Sequence, residues 1–446
     1  MESARGRSGW GPVVFVGCVW LLSSYLLVEF VRTYGVNFPH FDEWENVPAI
    51  TGEQPVTLKW LWSQHNEHRI VVPRLVYLGL AKLTHGDFRA GMAFNVTVLS
   101  LEALLLVVTA RRIRGTTEYS DAFFPLVLQT WGQAENLYWS FQVQFICSAA
   151  LSVAFLVLSV RSSRLSTAEG MGIGVCGLLL PLVGGNGLAF APAVSASIAL
   201  AGWGEWRRPR GRRRALALWA MGLAAVALTA FYFVDYTRPA KHPPSPSRKA
   251  TFDAAIQFLS GGFGQVAKML WPESKNYVLA GVAFTFALLV GVVLVRPAER
   301  YRAMRLVLVL GGMLCLALGL GWARIALASD AMFAPRYPTL AAPFWCAVYL
   351  AFELPGRRQL RGFAQACLFL CAATLAYENY DIGKQTAEGH RGRRAAIVAD
   401  IQAGVHLPEI LRRHGGFTYY GGNDVLGERM RMLHARSIGV FRDLKE

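Results

Sequence analysis

The chain has 446 residues, of which 54% are hydrophobic and 17% charged, and its mean hydropathy is +0.33. This composition excludes a soluble globular domain and a disordered polyelectrolyte; apolar runs of spanning length recur along the sequence and define an all-α polytopic membrane protein. In a soluble chain the formal charge of +16 would suggest nucleic acid. Here the arginines occupy the gaps between apolar runs, as cytoplasmic loops do, so the charge reports topology, the lipid bilayer is the first partner implied, and nucleic acid is excluded.

Arg5 and Arg7 precede an apolar run at 12–30 with no small-residue cleavage pattern, which predicts an uncleaved first span with a cytoplasmic N-terminus. A first outer loop, 32–90, follows. Between Phe38 and Arg74 it gathers Asp42, Glu43, Glu45, His65, Glu67, His68 and Arg69 among Phe38, Phe41, Trp44, Trp60 and Trp62. A mostly apolar chain that concentrates its ionisable groups in one interval is expected to work there. Pro55 is expected to open a short interfacial helix through Trp62, and 74–82 to form a second one leading to the next span. That span, 91–110, returns to Arg111, Arg112 and Arg114 and carries Glu102, a carboxylate that is costly in a bilayer unless it is paired or faces a wet cavity.

A short crossing at 119–132, a second outer loop at 132–141 and a span at 142–160 come next; on a helix, Glu135, Trp139 and Gln142 would share a face. A hairpin of spans at 170–184 and 187–203 then runs to Arg207, Arg208, Arg210, Arg212, Arg213 and Arg214, the strongest inside signal in the chain. The span 215–234 leads to a third outer loop, 235–276, with the motif KHPPSPSRK and an expected interfacial helix at 252–270. Spans at 277–295, 306–328, 338–354 and 362–377 bring the expected count to eleven and place Arg324, Asp330, Arg336 and Tyr337 in an outer turn. An odd count leaves a small tail, 381–446, outside, beyond a transmembrane module of 1–380. The seven cysteines all fall in apolar runs and read as packing groups.

No nucleotide-binding glycine motif, inverted repeat or coiled-coil heptad occurs, so an enzyme built on this chain would draw its driving force from an activated lipid or a membrane gradient. HNEHR at 65–69, ENLYWSFQ at 135–142 and APRYPTLAAPFW at 334–345 sit in an architecture with an acidic first outer loop, interfacial helices and a short third span. Together these resemble the GT-C superfamily of polyprenyl-phosphate-sugar glycosyltransferases, in particular a poorly characterised bacterial branch. Protein mannosyltransferases and lipid A aminoarabinose transferases are relatives of known activity.

The resemblance implies a bacterial plasma-membrane enzyme that moves a hexose or pentose from a polyprenyl-phosphate donor to an extracytoplasmic glycan, lipid or protein acceptor. An acceptor hydroxyl is a weak nucleophile, and the resemblance assigns its general base to the first-loop acid, Asp42, with Glu43 adjacent. The departing lipid phosphate calls for cations, and Arg69, Arg324 and Arg336 are the candidates. Glu135 would orient the acceptor or help bind a metal, Trp44 and Trp139 would stack on a sugar, and His65, Glu67, His68 and Gln142 complete the candidate substrate-binding set. His65 and His68 do not form an HExxH motif; no cofactor is implied, and a divalent metal is left open. Two other readings stand beside this one: a transporter or lipid-linked-sugar flippase working through Glu102, and a non-catalytic partner in envelope polysaccharide assembly.

Overall fold

The computed structural model describes residues 9–240 and 243–446; Arg5, Arg7 and the Lys241-His242 start of the proline-rich motif lie outside them. The protein is all-α and 77% helical. Among the described residues seven helices are long and apolar enough to cross a membrane: Trp10–Tyr34, Ala90–Arg114, Ser140–Val160, Arg212–Tyr232, Ser274–Val295, Arg300–Arg324 and Arg358–Gln402. Ala90–Arg114, Ser140–Val160 and Arg300–Arg324 bury half or more of their apolar window inside the protein, whereas the other four bury between 11 and 22%. The first three therefore form the centre of the bundle, and the rest turn apolar surface outward, which only lipid can solvate.

The remaining four expected crossings are shorter. Segment 119–132 breaks into the turn Tyr119–Ala122, the helix Phe123–Leu128 and the start of the turn Trp131–Gln133. Thr167–Leu179, Ala191–Trp206 and Pro338–Ala351 hold 13, 16 and 14 residues, about 20–24 Å of helix against a hydrocarbon core of roughly 30 Å. Length and composition thus supply seven spans rather than the eleven expected. Among the short elements Pro338–Ala351 is interior, with every residue buried, while Thr167–Leu179 and Ala191–Trp206 keep exposed apolar side chains at Met171, Val175 and Trp203.

At one end of the bundle Arg114 bonds Asp121 and, at 2.6 Å, Glu353, while Arg361 bonds Glu118 at 2.6 Å. Buried charges are tolerated when they are paired and hydrogen-bonded, so this network ties the broken segment to the ends of its neighbours. The candidate site lies at the other end. There the first-loop helix Leu58–Trp62 is capped by Thr57, whose hydroxyl accepts the Trp60 N–H at 3.2 Å, rather than opened by Pro55. The helix expected at 252–270 runs instead over Arg248–Ser260, is buried from Ala254 onward, and meets Gly321 at the Thr251 carbonyl. It packs inside the protein.

The last apolar run belongs to a single helix of 45 residues, Arg358–Gln402, about 68 Å long and more than twice the hydrocarbon core. The expected boundary at 380 falls inside it. Asn379 anchors its exit: Oδ1 accepts the Val266 N–H at 3.1 Å and Nδ2 donates to the Phe263 carbonyl at 2.7 Å, beside Gly264 at φ 97°, where a side chain would be strained. The chain then folds back through Leu407–Thr418 and Asn423–Ala435 to the closing turn Gly439–Asp443. Ile401, Leu407, Met430, Leu433, Phe441 and Leu444 share one buried core with Phe38 and Trp44. The tail is a cap seated on the first loop.

Candidate functional site

Two consecutive acids in the first loop have opposite surroundings. Glu43 is fully buried; its Oε2 accepts the His40 N–H at 2.7 Å and its Oε1 the Phe141 N–H at 3.2 Å, so it caps the turn Phe41–Asn46 and staples the first loop to the 132–141 loop. Burial pushes its carboxyl up to about 8, against the opposing pull of those bonds and of Arg394. Asp42 keeps 19% of its side chain accessible, with Oδ1 3.7 Å from His65 Nε2. Burial would raise its pKa, but the neighbouring His65 and Tyr420 side chains and the charge of Arg336 outweigh it and hold Asp42 below the usual carboxylate range. Asp42 is therefore ionised and reachable at neutral pH, and Glu43 is neither. Phe41, just before it, holds φ 42°, a strain of roughly 1–3 kcal/mol. Its ring is clamped by His40 at 4.2 Å, Trp139 at 5.9 Å and Phe417 at 6.4 Å.

HNEHR forms a minimal hairpin. Gln64–His65 pairs with His68–Arg69 across a two-residue turn whose first member, Asn66, takes φ 50°, a position that Asn tolerates better than most residues. The turn points its side chains at different partners. His65 reaches Asp42 and sets its ring edge against Phe141 at 5.1 Å. His68 Nδ1 accepts the Gly185 N–H at 3.1 Å, which leaves the proton on Nε2, 3.3 Å from Glu67 Oε1. Glu67 in turn pairs with Arg324. Arg69 is 5% exposed, and its Nε, Nη1 and Nη2 donate to the carbonyls of Tyr232, Trp62 and Val234 at 2.9, 2.7 and 2.6 Å. Its guanidinium fastens the hairpin to the end of Arg212–Tyr232, with three of its five N–H donors held by carbonyls.

The 132–141 loop also departs from expectation. The helix Ala134–Tyr138 stops before Trp139, whose backbone is extended at φ −124° and ψ 109°, so Glu135, Trp139 and Gln142 do not share a helical face. The break lets Asn95 Nδ2 reach the Asn136 carbonyl at 2.9 Å. Glu135 points to Arg336, with Oε2 2.8 Å from Nη1, and that arginine keeps 34% of its side chain exposed. Burial lowers the Arg336 pKa, but the Glu135 carboxylate dominates and raises it. Gln142 is 1% exposed, Trp139 is buried beside His40, and Trp44 is completely buried between Phe38 and Phe441. Trp44 supports the loop and has no face open to a sugar.

The tail supplies residues that the sequence did not single out. Besides Tyr420, which flanks Asp42, Tyr419 bonds Glu45, and Arg429 reaches the same carboxylate at 3.2 Å. The signal available was Tyr419-Tyr420 against Gly421-Gly422, an aromatic pair at a turn in an otherwise polar tail. Among the described residues no three His, Cys, Asp or Glu side chains converge as metal ligands would.

The fold and site define a multispanning helical membrane protein whose loops and tail assemble charged groups at one end. Comparison with protein-family models, curated proteins and solved structures finds no match for this chain.

Proposed function

We propose that the protein is a membrane glycosyltransferase of the GT-C type, transferring a sugar from a polyprenyl-phosphate donor to an acceptor outside the plasma membrane. The observation that carries this reading is Asp42: an ionised, partly accessible carboxylate flanked by His65 and Tyr420 and placed in the field of Arg336. Such a group can take the proton of an acceptor hydroxyl, which His65 would steady by holding the carboxylate in place. Arg336, at the edge of the same cluster, would carry the charge of the departing phosphate, and Arg324 across the hairpin is the second candidate. The four short elements complete eleven crossings in this reading, with both the first loop and the tail outside. Docking of the tail on that loop supports a common side for the two.

The test is consumption of a panel of labelled polyprenyl-phosphate sugars by membranes containing the protein, with envelope extract as acceptor source. Turnover of one donor above control membranes is expected. If no donor in the panel is consumed, the transferase reading fails.

One observation favours a second reading. Glu102 is 4% exposed inside Ala90–Arg114, and among the described residues neither carboxylate oxygen has a hydrogen-bond partner, a costly placement often tied to ion or proton movement. Translocation of a lipid-linked sugar across vesicles that Glu102→Gln abolishes, without any sugar transfer, would establish it.

A further inference from the structure

We propose that an arginine-lined cavity at the end of the bundle opposite Asp42 binds the phosphate head group of an anionic phospholipid. The cavity has a volume of about 370 Å³ and lies between the 161–166 loop, the end of Ala191–Trp206 and the start of Arg300–Arg324, with Arg164, Arg207, Arg208 and Arg305 in its wall. Two adjoining clefts share Arg207, Arg208 and Arg164 with it. Arg305 and Arg324, which meets Glu67, stand on one helix about 28 Å apart, close to the roughly 30 Å of a hydrocarbon core. The two sites thus face opposite membrane surfaces.

The local charge is far from balanced. Glu205, the carboxylate in the cavity wall, is taken by Arg208 and, at 4.0 Å, by Arg214. Glu169, beside the cavity, is held by Ser162 and Ser166. Arg164 and Arg207 are exposed and have no carboxylate within ion-pair distance among the described residues. Arg305 is 4% exposed and fixed in place, its Nε donating to the Ser159 carbonyl at 2.8 Å and its Nη2 to that of Ser162. Arg305 thus fixes the wall, and the two exposed guanidiniums of Arg164 and Arg207, lacking carboxylate counter-ions among the described residues, suit a phosphate.

The other lining groups select a lipid over a soluble anion. Leu165, Leu200 and Ala201 give the cavity an apolar wall, and at its mouth Trp203 and Tyr301 are each 51% exposed. Aromatic side chains at that level sit where lipid glycerol meets the acyl chains, and basic pockets between spans hold acidic head groups. A free phosphate would use only the arginines. This inference does not depend on any reaction at Asp42.

The test uses the full chain purified in an uncharged detergent. Its thermal midpoint is titrated with short-chain phosphatidylglycerol, phosphatidylcholine and glycerol 3-phosphate. Phosphatidylglycerol should raise the midpoint saturably, and the other two should not at equal concentration. Arg164→Gln with Arg207→Gln should weaken half-saturation at least tenfold, whereas Arg111→Gln with Arg112→Gln, the same charge loss at the same end but outside the cavity, should leave it within twofold. Equal losses in both double variants would reduce the effect to surface charge, and a glycerol 3-phosphate response matching the lipid would make the site one for soluble anions; either overturns the proposal. Should the Arg164/Arg207 variant fail to fold, native mass spectrometry of the wild type decides, with one retained phosphatidylglycerol expected and none contradicting.

Discussion

Phe441→Ala probes the docking of the tail on the first loop. Phe441 is 1% exposed; it stacks on Phe38 at 5.2 Å and 28° and stands edge-on to Trp44 at 5.8 Å and 81°. Truncating a buried phenylalanine costs roughly 3–5 kcal/mol. The loss falls on the seam between tail and loop, so it should appear as local opening of the tail and not as collapse of the spans. At about 1.4 kcal/mol per decade, the open population should rise on the order of one hundred- to several thousand-fold. Limited proteolysis in detergent reads this directly, as the rate of cleavage beyond Gln402 that leaves the spanning fragment intact. Phe363→Ala, at a side chain 73% exposed on the outer surface of the bundle, is the control and should leave the rate unchanged. A cleavage rate for Phe441→Ala within threefold of wild type would refute the docked cap.

Other predictions concern the loops. Removing Arg336 strips the cation next to Asp42 and leaves Glu135 unpaired, so Arg336→Ala should lower sugar-transfer turnover by about 100-fold or more, the scale of losing one charge-stabilising donor; a kcat within threefold of wild type would remove it from the site. Glu43 gives a pH signature. Its folded pKa of about 8 lies above its unfolded value near 4.3, so the folded state binds the extra proton between them. That contribution to stability is complete below the unfolded pKa and is lost as pH rises through about 8, with a limiting slope of about 1.4 kcal/mol per pH unit. Between pH 5 and 8 the thermal midpoint of wild type should fall more steeply than that of Glu43→Gln, and parallel curves would contradict the assignment.

Spans and basic gaps were legible because hydropathy is local: Ala90–Arg114 and Ser274–Val295 lie within a few residues of expectation. What local pattern does not carry was missed. Helical spacing of 135, 139 and 142 held no sign that Trp139 leaves the helix, a break associated with the bond from Asn95, forty-one residues earlier in the chain. Arg69 has the chemistry of a phosphate ligand, but its Nε and Nη2 are bound to carbonyls that folding brings from Tyr232 and Val234. Strands of two residues, as in the HNEHR hairpin, are too short to show any alternation. The tail was the largest gap, because Phe441 on Phe38 and Arg429 on Glu45 join opposite ends of the sequence.

The measurement that bears most directly on the central claim compares wild type with Asp42→Asn in the donor-consumption assay, at matched expression and with the thermal midpoint as a check on folding. The asparagine keeps the size of the side chain and loses the basic oxygen. Turnover should fall to background while the midpoint stays near that of wild type. Undiminished turnover by a folded Asp42→Asn protein would contradict the assignment of Asp42 as the base.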